Sequence, residues 1–153
     1  MKRHQLILAA AISMGAGASS AFAHHSHPYF YDQCKTVTIE GRVERVEWKD
    51  PHTWVFVKID DGSSYTVDWS PLSRLTRNGI IGPAKEALVV GARVMVAGNP
   101  IRTTAEIREH FPEFTSVKNP KTVDPRTIRR ADNSWNWALP QNPNEKLPDC
   151  KGK

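Results

Sequence analysis

The stretch Thr36-Val-Thr-Ile-Glu-Gly-Arg-Val-Glu-Arg-Val-Glu-Trp48 decides the fold. Val37, Ile39 and Val43 are odd-numbered and share one face of an extended chain, because successive side chains in a strand point to opposite sides. Val46 and Trp48 are even-numbered. A change of face inside one β-run requires an extra residue, so the spacing predicts a bulge near Glu44-Arg45, just past Gly41. The product is a single long, sharply bent first strand.

Working outward from it, Asp50-Pro51-His52 breaks the run, and Val55, Val57 and Ile59 then alternate with Trp54 and Phe56 in a second strand. Asp61-Gly62 is a hairpin signal, and Tyr65, Val67 and Trp69 lie on one face of the return strand. That parity puts Asp68 on the opposite, solvent face, and leaves Asp60 and Asp61 to the hairpin. A short helix follows, with Ser70 as N-cap, Pro71 at its first position, Leu72 and Leu75 on its apolar face and Gly79 ending it. Gly82-Pro83 starts another turn. A fourth strand has Val94 and Val96 on one face and Met95 on the other, and Gly98-Asn99-Pro100 closes it.

Residues 101–125 are polar, weakly periodic and carry Pro112, Pro120 and Pro125. Arg126 to Arg130 reads as a fifth strand, turning at Ala131-Asp132-Asn133 into Ser134-Trp135-Asn136-Trp137. Five strands with one short helix between strands 3 and 4 make an all-β chain with the order of a small OB-like barrel. A different small β-sandwich or half-barrel has the same strand count. The expected core is Val37, Ile39, Val55, Val57, Val67, Val94 and Val96, with Leu72 and Leu75 plugging one end.

At the other end of the argument from pattern lies processing. Lys2-Arg3, an apolar run from Leu6 to about Ala18, and Ala21-Phe22-Ala23 read as a signal peptide over residues 1–23 with a small-x-small cleavage site. The run is too short and too rich in Ala, Gly and Ser to anchor in a bilayer. The expected domain is then residues 24–139, with a Pro-rich extended tail at 140–153 and the bacterial periplasm as destination. Loss of Lys2 and Arg3 takes the formal charge from +5 to +3, with both signs interspersed, which does not call for nucleic acid. Cys34 and Cys150 are the only cysteines. In an oxidising compartment the pair reads as a disulfide, with thiolate metal ligation the competing reading.

Several of these residues together resemble an uncharacterised family of small exported bacterial proteins, a domain of unknown function with an H-H-S mature start and an N-P-H motif. The match runs through His24-His25-Ser26, Tyr31-Asp32, Lys35-Thr36-Val37-Thr38, Gly41-x-Val43 and Trp48-x-Asp50-Pro51-His52-x-Trp54. It continues through Trp69, Leu75-x-Arg77-x-Gly79 and Gly91-x-x-Val94, and covers about residues 23–100. Asp50 stands where the motif has Asn, and the C-terminal third is longer and richer in Pro. The resemblance implies compartment and fold, and no activity.

Chemistry concentrates in His24-His25-Ser26-His27. Cleavage after Ala23 frees an α-amino group on a histidine, and amine and imidazole both offer lone pairs near neutral pH. His24 can chelate through amine and ring, and His25 through amine and intervening backbone. An all-nitrogen set favours Cu(II) by geometry and by the Irving–Williams order. His52, stiffened by Pro51, can turn such a chelate into a preorganised site, with His27 auxiliary. Against this stand a solvated His-rich end and His52 as an ordinary turn residue. His110 has no assigned role. No G-x-S-x-G elbow surrounds a serine and no H-E-x-x-H motif occurs.

Trp48, Trp54, Trp69, Trp135 and Trp137 supply both core and a face able to bind a ligand. The expectation is a periplasmic binding protein without catalysis of its own, taking copper through His24, His25, His27 and His52. The alternative is an interaction module binding a small ligand or protein partner on the barrel face; a copper-dependent oxidative enzyme is the third reading. Intact mass of the exported protein should lack residues 1–23 and begin at His24; a cut elsewhere removes the histidine amine on which the metal reading depends.

Overall fold

The structure is a computed structural model that describes residues 27–140 and Cys150. The segment read as a signal peptide, His24, His25, the side chain of His27 and most of the tail after Pro140 lie outside the described residues. The elements run α1 (His27–Phe30), β1 (Val37–Glu47), β2 (Thr53–Ile59), β3 (Ser64–Trp69), α2 (Leu72–Arg77), α3 (Ile81–Ala87), β4 (Arg93–Pro100), α4 (Thr104–Arg108), β5 (Thr122–Arg130) and β6 (Asn136–Ala138).

β1 is the strand on which the barrel turns. Its first half pairs antiparallel with β4, from Val37 opposite Gly98 to Arg42 opposite Arg93. Its second half pairs antiparallel with β2, from Gly41 opposite Ile59 to Glu47 opposite Trp54. The register shifts between Val43 and Arg45, leaving Glu44 as the extra residue, as the parity of the valines requires. Where the two pairings overlap, β1 passes so close to β2 that a Cβ on Gly41 would collide with the Lys58 carbonyl. Only glycine fits there.

β2 and β3 form a hairpin. β5 lies antiparallel to β4, and Thr66 and Val67 of β3 pair in parallel with Thr122 and Val123 of β5. That last pairing closes a five-stranded barrel in the OB order, and β6 adds a sixth strand to the outer edge of β5. Closure removes the exposed edges on which an open sheet would associate.

The interior holds Ile39, Val43, Val55, Val57, Val67, Trp69, Leu75, Ala84, Leu88, Val94, Val96, Ile128 and Trp137. Val37 and Leu72 are half-buried at its margins. Three expectations along the chain are corrected. Ser70 does not cap α2: Pro71 holds the N-cap position, with no side-chain cap hydrogen bond. Gly82-Pro83 is no turn: both lie in the first turn of α3, where the N–H that proline lacks would have had no partner within the helix. The fifth strand begins at Thr122, not Arg126, and carries Pro125 opposite Gly98 at a register shift, where the ladder is already interrupted. Within the stretch read as irregular, α4 starts on a full capping box between Thr103 and Glu106.

The segment before β1 is tied down at several points. Tyr31 bridges Ile101, the Asp32 N–H donates to the Pro100 carbonyl at 2.9 Å, and the Arg102 N–H donates to the Phe30 carbonyl at 2.8 Å. Phe30 stacks on Phe111, with ring centroids 5.5 Å apart, and meets Phe114 edge-on. Cys34 is bonded to Cys150, with Cα atoms 5.4 Å apart across a sequence separation of 116. Loss of the bond, in Cys34→Ser or Cys150→Ser, should lower stability by roughly 2 to 5 kcal/mol, measured by chemical denaturation under non-reducing conditions.

Candidate functional site at one end of the barrel

Burial of a carboxylate marks the site. Asp68 is 6 % exposed, although strand alternation puts it on the face away from the core. The segment before β1 covers that face. The Tyr31 hydroxyl donates to Asp68 Oδ2 at 2.5 Å, and His52 Nδ1 donates to Asp68 Oδ1 at 2.6 Å. Both carboxylate oxygens therefore have donors, which offsets the cost of removing the charge from water. The solvent position read for Asp68 from the alternation alone is thus corrected.

His52 owes its position to local chain chemistry. It follows Asp50-Pro51, whose peptide bond is cis, and immediately precedes β2. The turn is docked on α2 through Asp50: its Oδ1 accepts from the Ser73 backbone N–H at 3.1 Å and from the Ser73 hydroxyl at 2.9 Å. An asparagine at this position has the same acceptor, so the departure of Asp50 from the N-P-H pattern leaves this contact intact. In register, Trp54 faces Asp68, and the His52 ring stacks on Trp54 with centroids 5.6 Å apart.

Tyr31 has a proton that is hard to remove. Burial of the ring raises its pKa far above 10.0, and the negative charges of Asp68 and Asp124 and the hydrogen bond to Asp68 push in the same direction. Asp32, next in the chain, is balanced differently. Burial alone would raise its carboxyl, but the Lys35 ammonium, the Cys34 N–H and the Arg102 guanidinium together outweigh it and hold the group below its ordinary value.

His52 and Asp68 open into a cavity of about 420 Å³, whose wall continues through Trp69, Arg74, Asp124, Arg126 and Trp137. Trp69 and Trp137 meet edge to face with centroids 5.2 Å apart, and Trp48 and Trp135 pack against Trp69 at 6.3 Å. The tryptophans thus divide: Trp69 and Trp137 are buried, while Trp48, Trp54 and Trp135 are half-buried. Arg126 Nε donates to the side-chain oxygen of Asn99, whose amide donates in turn to the Lys35 carbonyl.

Of the residues expected from the sequence to bind metal, the structure places His52 in this cavity. His24 and His25 lie outside the described residues, and of His27 only the backbone, in α1, is described. Among the described residues no three His, Cys, Asp or Glu side chains gather into a metal site. Sequence reasoning missed Asp68, Tyr31, Asp124, Arg74 and Arg126. The aromatic lead-in Tyr29-Phe30-Tyr31 marks, in the sequence, a segment that packs the N-terminus onto the body, without showing that Tyr31 meets Asp68. His110 is exposed, with its ring 4.7 Å from that of Tyr29.

A closed OB-order barrel carrying a His–Asp–Tyr cluster at one end defines the class of domain. The chain belongs to the family of unknown function DUF6152, which it matches over residues 11–108. No curated protein matches it at a significant level.

The Tyr31 proton has a measurable consequence. Below pH 10 both the folded and the unfolded chain hold it; above, the unfolded tyrosine ionises while the folded one does not, so stability should fall as pH rises. Ultraviolet titration should show a late phenolate step that coincides with unfolding and is absent in Tyr31→Phe.

Proposed function

We propose that the chain is an exported periplasmic binding protein, without catalysis of its own, that holds copper through the α-amino group and ring of His24, through His25, and through the ring of His52, with His27 auxiliary. One observation carries this reading: the Tyr31–Asp68–His52 chain of hydrogen bonds. A carboxylate on Nδ1 fixes the tautomer in which Nε2 bears the lone pair, makes that nitrogen more basic, and locks the ring plane, the arrangement that supports histidine ligands in metal sites. Tyr31 brings the N-terminal segment onto the same carboxylate, only seven residues after His24. A chain of that length spans at most about 25 Å when extended, so His24 is tethered within that reach of Tyr31.

Copper would supply Lewis acidity and a preference for nitrogen donors; the protein's own residues supply the donors and their orientation. Because the ligands must be unprotonated, affinity falls as the pH drops through the amine and imidazole values.

Cu(II) titration of mature protein, read by calorimetry and electron paramagnetic resonance, tests the reading. His52→Ala and an added N-terminal residue should each weaken binding and change the spectrum. Asp68→Asn should cost roughly 10- to 100-fold in affinity, the usual penalty for losing such a partner. His110→Ala should change neither affinity nor spectrum. Equal affinity and an unchanged spectrum in His52→Ala would reduce the histidines to a solvated end and favour an interaction module.

A further inference from the structure

Among the described residues, the cavity wall contains hydrogen-bond donors without acceptors. Trp69 is 2 % exposed, lines the cavity, and its indole N–H is buried with no hydrogen-bond partner among the described residues. An unsatisfied buried donor costs free energy and calls for an explanation. Arg126 is half-buried, and the only hydrogen bond of its side chain among the described residues goes to a neutral amide, that of Asn99. No carboxylate among the described residues lies within ion-pair distance of Arg126 or of Arg74. The acidic side of the wall is differently placed. Asp68 already accepts from Tyr31 and His52, and the charge of Asp124 acts on the Tyr31 hydroxyl.

We propose that the cavity is a binding site for a small molecule bearing an oxyanion, a carboxylate or a phosphate, held by the guanidiniums of Arg126 and Arg74 beside the ring of Trp69. A planar guanidinium presents paired donors that match either group, and a half-buried one without a counter-charge gains most from receiving it. At about 420 Å³ the cavity suits a ligand of modest size, and the edge-to-face pair of Trp69 and Trp137 offers its body an aromatic wall. Guanidinium groups have no lone pair to give a metal, so the oxyanion would be held by side chains other than those of the copper reading, within the same cavity.

The test follows the tryptophan indole N–H resonances of the full mature protein by nuclear magnetic resonance during titration with sodium acetate, sodium benzoate and inorganic phosphate. Benzamide serves as the uncharged counterpart of benzoate. The resonance assigned to Trp69 by its loss in Trp69→Phe should move saturably with at least one anion; whether benzoate and acetate or phosphate is preferred identifies the headgroup. Benzamide should bind at least tenfold more weakly than benzoate if the carboxylates are the ligands. Arg126→Gln should weaken anion binding tenfold or more, and Arg74→Gln several-fold. If Arg126→Gln does not fold, Arg74→Gln decides, because that exposed side chain makes no hydrogen bond among the described residues. Absence of a saturable shift with all three anions, saturable binding of benzamide as tight as that of benzoate, or binding unchanged in the arginine variants would overturn the proposal.

Discussion

A buried carboxylate organises one end of this barrel. Asp68 is nearly sealed from water, and an ionised group there is tolerable only when both oxygens are hydrogen-bonded. The two donors come from opposite directions in the chain: Tyr31 from the segment before β1, and His52 from the turn before β2. Each is held by separate means. The Asp50–Ser73 contacts fasten the turn to α2, while the disulfide, the bridge to Ile101 and the aromatic packing on Phe111 fasten the segment. Removing Tyr31 or His52 would leave an acceptor without its donor, so these supports share one structural purpose.

Barrel closure explains why that end becomes a site. The parallel contact between β3 and β5 sets Trp69 and Asp68 beside Asp124 and Arg126, although more than fifty residues separate the strands. Gly98 permits it: a side chain there would strike the backbone of Asp124 and Pro125. The same register shift that accommodates Pro125 lets β5 pass from β4 toward β3. An oligonucleotide-binding type of fold thereby presents a narrow, charged recess at a strand end.

The barrel was largely legible in the sequence because it rests on parity and punctuation. The switch from odd to even apolar positions around Glu44, the Asp61-Gly62 turn, and the alternation around Val55, Val67 and Val94 each reflect which side chains face the interior. The cysteine pairing was legible from the count of two and from the export that the sequence leads one to expect. The site was not, beyond His52. Alternation assigned Asp68 to solvent because a strand pattern reports two faces and cannot report what another segment lays over the second one. Tyr31, which does the covering, lies in a segment too short to show any period. Arg126 and Asp124 were separated from His52 by a stretch whose prolines hid the start of β5.

Sharing of Asp68 makes its two donors energetically dependent. A carboxylate polarised by one charge-assisted hydrogen bond is a changed acceptor for the other, since bonds in such a chain alter one another's strength. On the copper reading, a metal held by His52 would withdraw density from the imidazole ring and make its Nδ1–H a stronger donor to Asp68. Any ligand that changed the His52–Asp68 bond would change the Tyr31–Asp68 bond with it, and linkage would require the coupling to run equally in both directions. The disulfide and the Ile101 bridge hold Tyr31 near Asp68 whichever way that balance tips, so the coupling is expressed as altered hydrogen-bond strength within a fixed frame.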